Sequence, residues 1–286
     1  MSIRQSSLPG PELVWLLDLA RQGGHFASEL LGQAARQVKR GEEAVTEADR
    51  AVQRLIIAAL HARFPCDGII GEENEDGSAI TNRAPTSGSQ RVWVIDPIDG
   101  TNNYIAGFGA CAVCIGLLDG GSPTLGVVHD FTRGESYAGQ VGMGSWRIQD
   151  GIWHPTRVIA DAPGPQSLLM LTSNLLVAGR MPRWAHRLLT MTPWKVRMVG
   201  SAALECVQVG AGIASGALTL NGKLWDVVAA AAVVLAAGGR ITDFSGQDVF
   251  PIDLAGYSGG KVPFIATCPG MLPLLVTQLA HHDPVI

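Results

Sequence analysis

Charge is what this sequence has least of. Only 16% of its 286 residues are Asp, Glu, Lys or Arg, against 47% that are hydrophobic, and the mean hydropathy is +0.21. An average globular chain carries about 25% charged residues. A chain this apolar, with a net charge of −4, collapses rather than staying disordered. The shortage of solvated surface points to an oligomer, and we expect a homodimer. Basic residues are scattered, the densest pair being Lys39-Arg40, so there is no stripe to track nucleic-acid phosphates. Long apolar runs are missing too. The longest without charge, Val227 to Ala237, has 11 residues where a membrane span needs about 20. Asp18 interrupts Val14–Ala20, so the N-terminal segment has no signal-peptide core. Five cysteines in so long a chain form no disulfide framework. The expectation is a cytoplasmic protein without nucleic-acid or membrane partners.

What is present is a chain of alternating helical and strand-like segments. Apolar residues from Pro11 to Gln37 recur at helical spacing, with a weak point at Gly23-Gly24. Lys39–Glu43 reads as a polar turn. Thr46-Glu47-Ala48-Asp49 fits a capping box opening a second helix, which Phe64-Pro65 ends. Ile69-Ile70 and Arg91–Ile95 read as short strands, with a surface loop at Asn74–Gln90 between them. Residues 110–140 predict an antiparallel meander, and Trp146–Trp153 a hairpin turning at Asp150-Gly151. Pro155–Pro165 is the best linker candidate, dividing the chain into halves 1–155 and 156–286. The second half reads as strand (168–172), helix (174–191), strand (195–199), helix (201–213) and strand (216–220). An Ala-rich helix from Trp225 to Gly238-Gly239, strands at 240–243 and 263–267, and a helix at 271–279 follow. Helices and mixed sheets in two halves make a layered α/β protein.

Acidic residues cluster where elements begin or end: Gly71-Glu72-Glu73, Asp96-Pro97-Ile98-Asp99-Gly100-Thr101, and Trp225-Asp226. Each has an ordinary structural explanation. Asp-Pro and Asp-Gly make turns, Asp226 can cap a helix, and Glu72-Glu73 can be solvated. Taken together they offer hard oxygen ligands with no His or Cys interleaved, a set that suits Mg²⁺ rather than zinc. Two such ions can clamp the attacking and leaving oxygens of a displacement at phosphorus. Gly100-Thr101 adds backbone N–H groups and a hydroxyl for phosphate or water.

These three clusters, with Asn102-Asn103-Tyr104, Ala229-Ala230 and Ala237-Gly238-Gly239, resemble the inositol monophosphatase family in content and order. The likeness runs from Thr46 to the C-terminal helix. It implies a layered αβαβα sandwich of the sugar-phosphatase type, with two mixed-sheet halves, most metal ligands lying in the first and Asp226 in the second. It also implies Mg²⁺-dependent, lithium-sensitive hydrolysis of a small phosphate monoester, using two or three ions. By the same resemblance the metal ligands are Glu72, Asp96, the Ile98 carbonyl, Asp99 and Asp226. Glu72 and Thr101 activate the water, and Asp49 lies behind Thr101. Ile98, Asp99, Gly100, Thr101, Gly200, Ser201, Ala202, Thr219 and Asp226 face the substrate.

The pattern is not followed everywhere. The family's inositol-binding enzymes place a Glu seven residues before the Trp-Asp aspartate, where this chain has Thr219. A neutral hydroxyl grips vicinal hydroxyls less well than a carboxylate. Tyr104 replaces a Phe, Gly109 a frequent proline, and Lys39-Arg40-Gly41 matches a basic loop only approximately. Histidinol phosphate and nucleotide 3′-phosphates are alternative substrates, with Asn102 in place of a Lys arguing against the nucleotide branch. A binding protein that keeps the fold without catalysis, or does both, is a further alternative, opposed by the intact set Glu72, Glu73, Asp96, Asp99 and Asp226. Cys111-Ala112-Val113-Cys114 lies in a strand-like run that would turn the two thiols to opposite faces, so it is not a metal or redox site.

Overall fold

The computed structural model describes residues 8–31, 37–38, 44–45, 47–74, 81–173, 175 and 179–279. In chain order the elements are α1 (Pro11–Leu30), β1 (Gln37–Val38), β2 (Ala44–Val45), α2 (Glu47–Arg63), β3 (Gly68–Gly71), β4 (Thr81–Arg83), β5 (Arg91–Asp99) and α3 (Thr101–Ala106). The meander and hairpin follow as β6 (Ala112–Asp119), β7 (Ser122–Asp130), β8 (Glu135–Gln140), β9 (Gly144–Gln149) and β10 (Ile152–Thr156). The remainder is β11 (Leu168–Leu171), α4 (Arg183–Thr190), β12 (Lys195–Arg197), α5 (Ala202–Gly210), β13 (Gly216–Thr219), α6 (Leu224–Ala236), β14 (Arg240–Thr242), β15 (Phe264–Thr267) and α7 (Leu272–Leu279).

Eight strands form one sheet in the order β10-β9-β8-β7-β6-β5-β3-β4, and five form another in the order β12-β11-β13-β15-β14. Both are mixed. β3 and β5 run parallel in the first, as do β12, β11 and β13 in the second, and the other neighbours are antiparallel. Strand alternation sorts side chains between layers. Trp93 and Ile95 of β5 join the core beneath α1 and α2, whereas Val92 and Val94 join the core around α5 and α6. That second core also takes Ala217 and Phe264 from the smaller sheet, so α5 and α6 are sandwiched between sheets. α4 and α7 cover the other face of the smaller sheet. The layers are therefore α, β, α, β, α, as the resemblance implied.

Several element boundaries differ from expectation. Gly23-Gly24 is no weak point; α1 runs through it. A Cβ on Gly24 would lie 2.6 Å from the His129 ring and 2.7 Å from Phe131 Cβ, so this glycine lets the helix approach β7. The helix ends at Leu30, and Gln37 belongs to β1. The Asn74–Gln90 loop contains β4, and α4 covers only the last part of the helix expected over 174–191. Thr46 and Lys39-Arg40-Gly41 lie outside the described residues. The turn at Asp150-Gly151 has φ of 51° and 77°, the left-handed pair that a two-residue hairpin requires.

Helix α6 is seated by three glycines. Gly116, Gly126 and Gly139 are cross-strand partners on β6, β7 and β8. A Cβ on each would lie 2.7 Å from Ala229 N, 2.1 Å from Ala229 O and 2.5 Å from Val233 Cα respectively. The bare row lets the Ala-rich helix lie against the sheet backbone, which fixes where its first turn, with Asp226, ends up.

Candidate active site

Asp96 and Asp99 stand three apart, so an unbroken strand would turn them to opposite faces. The structure resolves this with a bulge. Asp96 pairs with Cys114 and Asp99 with Ala112, leaving two residues of β5 opposite one of β6. Cys114 and Ala112 both face the inter-sheet core, and their partners therefore do so too. The strand thus extends through Asp99, where a turn was the simple reading of this run. Pro97 fits because a bulge leaves a residue out of the ladder. The Ile98 N–H donates to Asp96 Oδ1 at 3.0 Å, and Thr101 Oγ1 donates to the Ile98 carbonyl at 3.1 Å. Gly100, with φ +90°, turns the chain into α3; a Cβ there would lie 2.8 Å from Ala110 O.

The second half of the chain completes the cluster. Carboxylate oxygens of Asp96, Asp99 and Asp226 all lie within 4.8 Å of one another. Asp99 sits at the start of α5, accepting from the Ala202 N–H at 3.2 Å, the Ala203 N–H at 2.8 Å and the Ser201 hydroxyl. Ser201 caps the same helix by accepting from the Leu204 N–H. Asp226 Oδ2 accepts from the Lys223 N–H at 2.7 Å. Burial pushes Asp96 well above the usual carboxylate range, with Glu72, Asp99 and Asp226 adding to the shift. Burial likewise raises Asp226 to about 7, helped by Asp99. Asp99 is raised by burial, and its hydrogen bonds to α5 oppose the shift. Beneath them the Cys114 thiol is raised by burial and by the same carboxylates.

Glu72 follows β3, its N–H donating to the Ile95 carbonyl at 3.2 Å, and its charge reaches Asp96 without its joining the three-carboxylate group. Glu73 is elsewhere: buried, its backbone held at both N–H and carbonyl by the Gln53 side chain. Asp49 is buried in the first turn of α2; burial raises Tyr104 and Cys111, and the Asp49 charge adds to both shifts. Cys111 and Cys114 fall in different cores, as strand alternation required.

Beside the cluster is a cavity of about 250 Å³, lined by Asp99, Gly200, Ser201, Ala202 and Asp226 together with Thr172, Thr219 and Asn221. Thr219 is 2% exposed, and its hydroxyl has no hydrogen-bond partner among the described residues. Sequence reasoning missed Glu205, which also lines the cavity. It accepts from the Val199 and Gly200 N–H groups at 2.7 and 3.0 Å, and burial raises it to about 8. A lone Glu in a small-residue helix carries no signal of this.

A profile of the inositol monophosphatase family matches residues 14–265. This chain belongs to the inositol monophosphatase family. It is 34% identical over 227 residues to a probable inositol 1-monophosphatase, ImpA, of Mycobacterium tuberculosis, covering 77% of this chain and 79% of that one. A histidinol-phosphatase of Chlorobaculum parvum is 32% identical over 239 residues, covering 83% and 87%. Among solved structures, the Thermotoga maritima IMPase superposes with a TM-score of 0.79 at 27% identity, covering 95% and 97%. By this membership the chain is a phosphoric monoester hydrolase, and it combines two mixed sheets with the acidic cluster of Asp96, Asp99 and Asp226.

Proposed function

We propose that this chain hydrolyses a small phosphate monoester, an inositol-1-phosphate-like or related sugar or alcohol phosphate, with Mg²⁺. The observation that carries the reading is the group of Asp96, Asp99 and Asp226, within 4.8 Å of one another beside a small cavity. Packed carboxylates with raised pKa values and an all-oxygen donor set fit a hard divalent cation. Glu72, Asp96, the Ile98 carbonyl, Asp99 and Asp226 would hold it, as two or three ions. Bound there, Mg²⁺ supplies a nucleophile at neutral pH and charge stabilisation at phosphorus.

The chain's own groups do the rest. Thr101 Oγ1 donates to Ile98 O, which leaves its lone pairs to accept from a water, and in this reading Glu72 takes that water's proton. Asp49 supports this region from α2. Gly100 and the Gly200-Ser201-Ala202 segment approach the phosphate with backbone rather than bulk, and Thr219 faces the alcohol. The halves 1–155 and 156–286 each contribute ligands, so neither holds the site alone.

A second reading is histidinol phosphate. It is favoured by Thr219 standing where inositol-binding enzymes carry an acid, and by the similarity to a histidinol-phosphatase. No described helix is long and apolar enough to cross a membrane. A cytoplasmic homodimer inhibited by lithium completes the proposal, the dimer resting on the low charge and on Phe108 and Met191, each 73% exposed. The test is turnover of a phosphate-ester panel with Mg²⁺, with a chelator and with millimolar-scale lithium. Full activity in chelator would overturn the metal reading; light scattering reads the dimer.

A further inference from the structure

Helix α6 carries Asp226 in its first turn, and its N-cap is Lys223, an ammonium side chain that donates and cannot accept an N–H. A Ser, Thr, Asp or Asn usually satisfies one of the orphan N–H groups there. In this helix Asp226 Oδ2 takes the Lys223 N–H, so one carboxylate both closes its own helix and faces Asp96. The next N–H, that of Leu224, donates at 2.9 Å to Tyr257 Oη, 33 residues on. Tyr257 Oη in turn donates to the Gly260 carbonyl at 3.0 Å, and its ring meets Trp225 edge-on with centroids 6.5 Å apart.

The segment bearing Tyr257 is fastened along its length. The Ile252 N–H donates to Gly121 O at 2.9 Å, and the Val262 N–H to Gly222 O at 2.6 Å. Asn82 Nδ2 donates to the Tyr257 carbonyl at 2.9 Å, and Lys261 Nζ to Asn221 Oδ1 at 2.6 Å. Asn221 and Gly222 line the cavity. Residues 252–262 therefore form a strap that touches the cavity wall and the start of α6 together.

We propose that Tyr257 is a positioning residue for Asp226: its hydroxyl accepts the orphan Leu224 N–H at the start of α6 and so fixes the carboxylate against Asp96 and Asp99. This rests on Asp226 being a metal ligand, as proposed above. The capping comes from the strap that also walls the cavity, so ligand and wall are held in one register.

Tyr257→Phe in the full chain removes Oη and keeps the ring on Trp225. Calorimetric titration with Mg²⁺ should show Kd weakened about three- to tenfold, the effect of losing one neutral hydrogen bond. The Mg²⁺ concentration for half-maximal turnover should rise in step, while kcat at saturating Mg²⁺ stays within about twofold. A merely structural residue would lower Tm and leave the Mg²⁺ Kd unchanged, which overturns the proposal. Asp226→Asn separates the two readings. If it leaves the Mg²⁺ Kd unchanged, the metal assignment falls; if it weakens Kd and Tyr257→Phe does not, only the role of Tyr257 falls. In the double variant, no loss beyond that of Asp226→Asn supports action through Asp226, and an additive loss overturns it. Should Tyr257→Phe fail to fold, Asn82→Ala loosens the strap at the Tyr257 carbonyl; a weaker Kd supports the proposal and an unchanged one overturns it.

Discussion

Asp96, Asp99 and Asp226 repel one another, and the burial of Asp96 and Asp99, with Asp226 half-buried beside them, removes much of the water that would soften this. Such a group destabilises the fold unless something of opposite charge binds, which is why one neutral substitution should act in two directions. Asp226→Asn keeps shape and removes a charge, so turnover with Mg²⁺ should fall roughly 100-fold or more, as when a group that stabilises transition-state charge is lost. The same variant, stripped of metal at about pH 8, should melt several degrees higher than the parent, because the Asp226 carboxyl at about 7 is largely charged there and the amide is not. Turnover close to that of the parent, or a lower metal-free Tm, would show that this cluster is not the metal site. Thr219 is the other informative residue. Its buried hydroxyl meets no partner among the described residues, so on the proposed reading the substrate alcohol finds no charged grip at this position. Thr219→Glu should lower KM for inositol 1-phosphate with kcat less affected, the signature of added uniform binding. A parent enzyme already strongly preferring inositol 1-phosphate over histidinol phosphate would contradict the premise.

Elements place these residues, and they were unevenly legible in the sequence. The alternation of Val92, Trp93, Val94 and Ile95 marks a strand buried on both faces, and the same two-residue period divides Cys111, just before β6, and Cys114, within it, between cores. The continuation through Asp96-Pro97-Ile98-Asp99 was not legible, because Asp-Pro and Asp-Gly carry turn chemistry; only the pairing with β6 reveals a bulge. Glycine was silent in a different way. Nothing in the sequence singles out Gly116, Gly126 and Gly139, yet they pair across three strands as a bed for α6. Local sequence holds no trace of a helix that lies so far along the chain. Gly126→Ala tests this bed: its Cβ would lie 2.1 Å from Ala229 O, a clash that backbone must relieve. Overpacking of this kind costs about 1–3 kcal/mol or more, so Tm should fall by several degrees. Activity should fall further than stability explains, because the displaced helix carries Asp226. Gly164→Ala, where a Cβ meets nothing within 4 Å, is the matched control and should change neither.

At the scale of the whole molecule, the acidic cluster lies where the two sheets share a core, and this ties stability to both pH and metal. Asp226 and Glu205 titrate at about 7 and about 8 in the fold, above their unfolded values near 4. Over that interval the folded chain binds more protons than the unfolded one, so stability declines as pH rises. His129, lowered to about 4 by burial, acts in the opposite sense but only below its unfolded value near 6.5. Metal-free protein should therefore lose Tm between about pH 6.5 and about pH 9, and saturating Mg²⁺ should reduce the loss. A flat or rising Tm in chelator would refute it. The same shared core bears on the division at 155/156, which we propose as an organisation of ligands, not of independently stable parts. The central core joins Val92, Val94, Cys114 and Tyr137 of the first half to Ala217, Trp225, Val228 and Phe264 of the second. Separating the halves would expose one wall of that core on each fragment, removing apolar burial at roughly 25 cal/mol per Å². Expressed alone, residues 1–155 and 156–286 should each lack a cooperative thermal transition and near-ultraviolet circular dichroism, whereas the full chain unfolds in one step. A fragment that melts cooperatively with native-like aromatic signals would mean that the inter-sheet layer is an interface between self-sufficient domains.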